Sequence, residues 1–223
     1  MFHVLDAKPK WLQSLSQQEV DQISRHTTKA TFGKNDPIIK QNAKMSHMLF
    51  LVEGIVKMHI ETRVGKSIII KLCKGGSLLG LGMYLTSETY QCSYTALSTT
   101  TIYYIDMEAF KLLIANNPTF AFQMLDEIAH ENQFLTQRIS ALTYKQLPGK
   151  LADILLYLSK QIYNSNTFHL PLSRQELAEI AGTTKESLIR TLTEFKNDKI
   201  IDVQGKSISI RSMPIVETLS KLG

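Results

Sequence analysis

Cysteine is scarce: Cys73 and Cys92 are the two thiols in 223 residues, and they stand far apart. That spacing excludes a metal-type ligand cluster and a disulfide framework, and it fits a reducing cytoplasm. No apolar run reaches the ~18 residues that a membrane helix needs. The opening MFHVLDAKPKWLQ lacks a basic stretch followed by an apolar one, so no secretory leader is expected. Catalytic signatures are missing too. There is no P-loop, no Gly-x-Ser-x-Gly, no His-Glu-x-x-His and no convincing carboxylate pair, so the chain is not expected to be an enzyme. Nor is there a block of like charge. Lys and Arg number 25 against 20 Asp and Glu, a net charge of +5. Residues 147–223 hold ten basic and eight acidic side chains, a surplus of only two. Such a balance permits nucleic-acid binding if the basic groups are placed rather than massed.

What is present changes texture along the chain. Residues 10–26 carry Trp11, Leu12, Leu15, Val20 and Ile23 at helical spacing, with Ser16 as a cap. From about 27 to 105, short runs rich in Ile, Val, Thr and Tyr are separated by turns, with glycines at 54, 65, 75 and 76. That texture predicts an antiparallel barrel or sandwich. Asp106 then caps a helix from 107 to about 115, and Asn117-Pro118 opens another that meets no Gly or Pro until Pro148. Along it, Leu125, Asn132, Ile139 and Gln146 fall at position a of a heptad, and Ile128, Leu135 and Leu142 at position d. The pattern predicts either a two-stranded coiled coil or a long amphipathic helix packed on its own domain. Asn132 favours the pair, since a lone Asn at position a selects two parallel strands. LPGK at 147–150 reads as a hinge and 151–163 as a further helix.

The stretch LPLSRQELAEIAGTTKESLIRTLTEFKNDKIIDVQGKSISI, residues 170–210, carries the most information. Ser173 and Glu176 form a capping box, and the helix they start stops at Gly182. Thr183 and Glu186 offer a second capping box at once. Two helices joined by so short a turn cross steeply, as in a helix-turn-helix. On a wheel, Ser187, Leu188, Thr191, Leu192 and Phe195 share the inner side of the second helix. Lys185, Glu186, Ile189, Arg190 and Thr193 share the outer side. That outer mixture suits base reading: Arg or Lys donates to guanine, Glu accepts from the cytosine amino group, and an apolar side chain meets the thymine methyl. As surface features, Glu186 would only close its capping box and Arg190 would pair with Glu186 or Glu194. Strands at 200–203 and 207–210 follow, with Gly205-Lys206 at their turn; this is a wing, with Gln204 and Lys206 within reach of phosphate.

The order β-rich domain, long helix, winged helix-turn-helix resembles the Crp/Fnr family of bacterial transcription regulators over nearly the whole chain. The likeness is densest in LSRQELAEIAGTTKESLIRTLTEFKNDKII; MLFLVEGIVKMHI and KGGSLLGLGMYL are similar to the family's cyclic-nucleotide-type sensor. The resemblance implies an α+β fold: an N-terminal antiparallel β-roll in 1–116, a dimerisation helix in 117–147 and a C-terminal winged helix-turn-helix in 148–223. It implies a cytoplasmic homodimer that reads an inverted repeat in double-stranded DNA and contacts RNA polymerase. Arg174 and Gln175 would approach phosphates. Lys185, Glu186 and Arg190 would read bases, with Thr183, Thr184, Ile189, Thr193 and Lys206 completing the DNA-binding set.

The departures bear on the effector. Cyclic-nucleotide binders of the family place a glutamate after the turn glycine and an Arg-Ser pair further on. Here the turn reads Gly80-Leu81-Gly82-Met83 and the later segment Tyr90-Gln91-Cys92-Ser93. No arginine lies between Arg63 and Arg138, and no lysine between Lys74 and Lys111. An enclosed phosphate needs a cation or aimed N–H groups, so cyclic AMP is disfavoured. An iron–sulfur cluster needs four thiolates and is excluded. A haem would need an axial ligand, for which His47 and His59 are the imidazoles in the β region. The expected pocket, around Leu81, Met83, Tyr84, Tyr90, Gln91 and Cys92, suits an uncharged effector or none, and no cofactor is expected. The alternative reading is a small-ligand module, for cyclic nucleotide or haem, whose helix-turn-helix serves assembly.

Overall fold

A computed structural model describes residues 9–63 and 66–223. Residues 1–8, Val64 and Gly65 therefore lie outside the described residues. The chain forms two compact units, one of residues 1–61 with 72–134 and one of 62–71 with 135–223. The division falls inside a long helix.

The first unit opens with α1 (Lys10–Gln13) and α2 (Gln17–Arg25). Ser16 caps α2 through the full reciprocal box with Glu19, so the expected helix breaks in two at that cap. The strands of the β region are β1 (Thr27–Phe32), β2 (Pro37–Ile39), β3 (His47–Glu53), β4 (Ile55–Arg63), β5 (Lys66–Lys74), β6 (Leu78–Leu79), β7 (Ser93–Ala96) and β8 (Thr100–Asp106), of which residues 62–71 of β4 and β5 group with the second unit. They form two antiparallel sheets, ordered β1-β8-β3-β6 and β2-β7-β4-β5. Next come α3 (Met107–Asn116), capped by Asp106, and α4 (Pro118–Tyr144), where the Phe120 N–H donates to the Asn117 side chain at 2.9 Å. The antiparallel β domain and both helix starts agree with the sequence expectation.

β3 breaks the usual alternation. Met48, Leu49, Phe50 and Leu51 are all buried, because both faces of the strand are covered. On one side, Trp11 of α1 meets Phe50 edge-on at 4.9 Å and Phe120 of α4 at 6.1 Å, while Phe110 of α3 meets Phe120 at 5.6 Å. The turn after β3 needs glycine: Gly54 has φ +102°, and a Cβ there would lie 2.5 Å from Thr100 Oγ1.

In the second unit α5 (Leu147–Tyr157) runs on as a π-helical turn over Leu158–Tyr163. The LPGK segment is thus the first turn of a helix, not an open hinge: Pro148 fits helix position N1 or N2, where its missing N–H costs nothing. Then follow β9 (Thr167–His169), α6 (Arg174–Ala181), α7 (Lys185–Asn197), β10 (Ile201–Gln204), β11 (Ser207–Ile210) and α8 (Met213–Leu222). The small sheet has the order β10-β11-β9. Leu151, Leu155, Leu177, Leu188, Phe195, Ile208 and Val216 form its core.

Candidate nucleic-acid interface

Local chemistry sets the two helices. Ser173 Oγ accepts from the Glu176 N–H at 3.1 Å, and the Glu176 carboxylate accepts from the Ser173 N–H at 2.8 Å. α6 ends at Gly182, whose φ of +60° turns the chain, and the Thr183 N–H returns to the Ala178 carbonyl. The second cap differs from expectation. Thr184, not Thr183, is the N-cap of α7, accepting from the Ser187 N–H at 3.3 Å. The third helical position is therefore Ser187, and Glu186 closes no capping box. The sequence offered two adjacent threonines, and the Gly182 turn consumes the first.

Leu188, Thr191, Leu192 and Phe195 seal the inner face of α7, with Ser187 half-buried at its edge. Lys185, Glu186, Ile189, Arg190 and Thr193 are all exposed on the outer face. Among the described residues no hydrogen bond or ion pair engages the side chains of Lys185, Glu186 or Arg190, so the expected pairing of Arg190 with Glu186 or Glu194 is absent. Thr193 donates its hydroxyl to the Ile189 carbonyl at 2.9 Å. Ile189 keeps 41% of its surface exposed, an apolar patch between charges.

The flanks are more committed. Arg174 donates to the Gly205 carbonyl at 2.8 Å, across to the wing turn. Gln175 is exposed, 3.4 Å from Glu179. Gln204 turns back to Asp202 at 3.3 Å, whereas Lys206 stands exposed at the tip.

The long helix has two faces. Leu125 and Ile139 are 60% and 66% exposed, and Asn132 is exposed beside them. Ile128, Leu135 and Leu142, the expected d positions, are half-buried. Leu142 leans to within 3.1 Å of where a Cβ on Gly182 would sit. The outward stripe instead runs Phe122, Leu125, Ala129, Asn132, Thr136, Ile139 and Thr143, all exposed at alternating spacings of three and four. α4 ends at Tyr144, so Gln146 falls beyond this helix, as the N-cap of α5. The expected heptad did not include Phe122, Ala129, Thr136 and Thr143, which lie one position beyond its d residues or before its first a residue. The signal was the charge of Glu131 and Arg138 on the opposite flank. Arg138 is largely buried and donates to the carbonyls of Ile69 and Ile180; burial lowers its pKa.

The six residues of the expected effector pocket range from core to surface, with Met83 and Tyr84 half-buried. Leu81, Tyr90 and Cys92 are core side chains. Tyr90 donates to the His47 carbonyl at 2.6 Å, and burial pushes its phenol well up. Tyr84 packs edge-on against Phe110 at 6.0 Å. Gln91 is exposed and binds Ser87 and Thr89, and its N–H meets Met83 Sδ at 3.4 Å. His47 lies 2.9 Å from Ser46 Oγ, and His59 Nε2 lies 3.0 Å from Thr95 Oγ1.

Two family models match the chain. The cyclic nucleotide-binding domain covers residues 29–117, and the Crp-like helix-turn-helix domain covers 149–218. The chain is 24% identical over 192 residues to the cAMP-activated global transcriptional regulator CRP of Salmonella typhimurium, covering 84% of this chain and 89% of that protein. It is 24% identical over 202 residues to the transcriptional activator protein FnrA of Stutzerimonas stutzeri, covering 88% and 82%. FixK2 from Bradyrhizobium japonicum has the same fold, with a TM-score of 0.79 at 18% identity over 86% of this chain and 96% of that one.

Proposed function

Since the chain belongs to the Crp/Fnr family of transcription regulators, with that family's helix-turn-helix DNA-binding domain, we propose that it reads an inverted-repeat operator as a homodimer through the outer face of α7. One observation carries the reading: Lys185, Glu186 and Arg190 lie exposed and unengaged by other described residues around Ile189, on a helix whose cap and inner face are otherwise satisfied. In the major groove these groups supply two donors, an acceptor and a methyl contact. Thr184 at the cap and Thr193 flank them, and Thr183, Gln175 and Lys206 lie at the margin towards the backbone phosphates. The stripe from Phe122 to Thr143 is the surface for the second copy, with Asn132 holding register. Two such subunits present their reading helices to half-sites one helical turn apart. Contact with RNA polymerase completes the regulator.

Cyclic AMP, which activates the Salmonella relative, is a poor effector for this chain. The segment from Leu78 to Phe110 brings no cation to a cyclic phosphate. An uncharged effector, or control without one, fits better.

The test is selection of random duplexes by the purified, ligand-free chain at about 0.15 M salt, where screening suppresses loose electrostatic binding. A recovered inverted repeat with half-site centres one turn apart is expected. Selection of no sequence, with or without cell extract, would overturn the reading.

A further inference from the structure

Arg174 begins α6, the position from which the resemblance would send it to a phosphate. Its guanidinium is instead partly spent inside the protein. Nη2 donates to the Gly205 carbonyl at 2.8 Å, 31 residues along the chain. Gly205 is the turn residue of the wing, with φ +60°, between Gln204 and Ser207, which pair across β10 and β11. The next carbonyl is held as well: the Leu170 N–H donates to the Lys206 carbonyl at 2.8 Å. Both peptide oxygens of the turn are thus tied to the segment that leads into α6.

The rest of the wing is internally committed. Arg211 pairs with Asp202 at 3.2 Å, Gln204 donates to the same carboxylate, and Lys196 donates to the Val203 carbonyl at 3.2 Å. Within the wing hairpin, residues 201–210, Lys206 is the one cation, and no hydrogen bond or ion pair engages its side chain among the described residues. The wing is anchored along one side, where β9 pairs with β11 and the Leu170 N–H holds the Lys206 carbonyl; the other carbonyl of the tip, that of Gly205, is left for a group on α6 to fix. A planar guanidinium does so well, since its fork surrenders little freedom per hydrogen bond formed.

We propose that Arg174 is a positioning residue of the DNA interface. It clamps the Gly205 carbonyl so that Lys206 meets the DNA backbone beside α7, and its effect on binding is exerted through Lys206. The inference rests on the DNA-reading function above and names how one flank of that site is built.

Four versions of the 223-residue chain decide it: wild type, Arg174→Ala, Lys206→Ala and the double variant. Each is titrated with the selected operator across a salt series, with melting followed in parallel. One lost phosphate contact lowers the slope of log affinity against log salt by about 0.9. Because a homodimer loses one such contact in each subunit, Lys206→Ala is expected to lose about 1.8, Arg174→Ala nearly as much, and the double variant no more than Lys206→Ala alone. A general structural defect would change melting without this pattern of slopes. If the double variant loses about twice the slope, Arg174 meets a phosphate itself and the inference fails. An unchanged slope in Lys206→Ala also overturns it. A wild type that selects no operator removes the DNA reading and this inference together, whereas an operator with additive losses removes this one alone.

Discussion

The β-rich unit and the reader unit treat their polar groups in opposite ways. In the first, the groups near the expected effector site bond within the protein: Tyr90 to the His47 carbonyl, Gln91 to Ser87 and Thr89, His59 to Thr95. On α7 three charged side chains reach into solvent with no such bond among the described residues. A buried hydroxyl must be bonded, because leaving it unmade costs its full desolvation. An exposed charge costs nothing while water solvates it, and it stays free for a partner. Placement therefore does in the reader unit what its small net charge cannot. The same contrast separates the two turn glycines. Gly54 is walled in by Thr99 and Thr100, whereas a Cβ on Gly205 would meet nothing within 4 Å.

The largest expected effect probes that last contrast. Gly54→Ala combines positive φ with a Cβ 2.5 Å from Thr100 Oγ1 and 2.7 Å from the Thr99 carbonyl. It should cost about 3 kcal/mol in urea unfolding. Gly205→Ala, strained only in its backbone, should cost about 1 kcal/mol. Equal losses would break the contrast. Next, Arg190→Ala should weaken binding at the selected operator by about 1–3 kcal/mol and relax preference at one base pair, with melting unchanged. A loss uniform across all sequences would make it a phosphate contact instead. Tyr90→Phe should reverse that pattern, costing about 1 kcal/mol of stability by orphaning the His47 carbonyl and leaving operator affinity intact.

The smallest effect concerns acid. The Ser16 backbone N–H, then its hydroxyl, and Asn117 hold the Glu19 carboxyl below its ordinary 4.5. A depressed carboxyl stabilises the fold above 4.5, and that contribution is lost as pH falls through the lowered value. Glu19→Gln should remove this step from an acid titration and, at neutral pH, cost about 0.5 kcal/mol, because the group is well exposed. A variant as acid-sensitive as wild type would remove Glu19 from the account.

The legible parts were those written within a few residues. Ser16, Asp106, Asn117-Pro118, and Ser173 with Glu176 each set a cap within three positions of the N–H it accepts from. All four formed as expected. Thr183 and Thr184 show where such reading stops. Either could cap α7, and the choice fell to the geometry of the Gly182 turn. The exposed stripe of α4 differs from the expected heptad for a related reason. Ile128, Leu135 and Leu142 are as apolar as Leu125 and Ile139, and periodicity alone does not say which flank meets the rest of the chain.

The sequence by itself determined the order of the main elements, the starts of α2, α3, α4 and α6, and which α7 residues face outward. All of these follow from local hydrogen bonds and a 3.6-residue period. Only the tertiary structure decided that β3 is buried on both faces, which flank of α4 stays bare, that Tyr90 is spent on His47, and that Arg174 holds a wing 31 residues away. Burial and long-range bonding depend on what else packs against a residue, and no spacing within one segment records that.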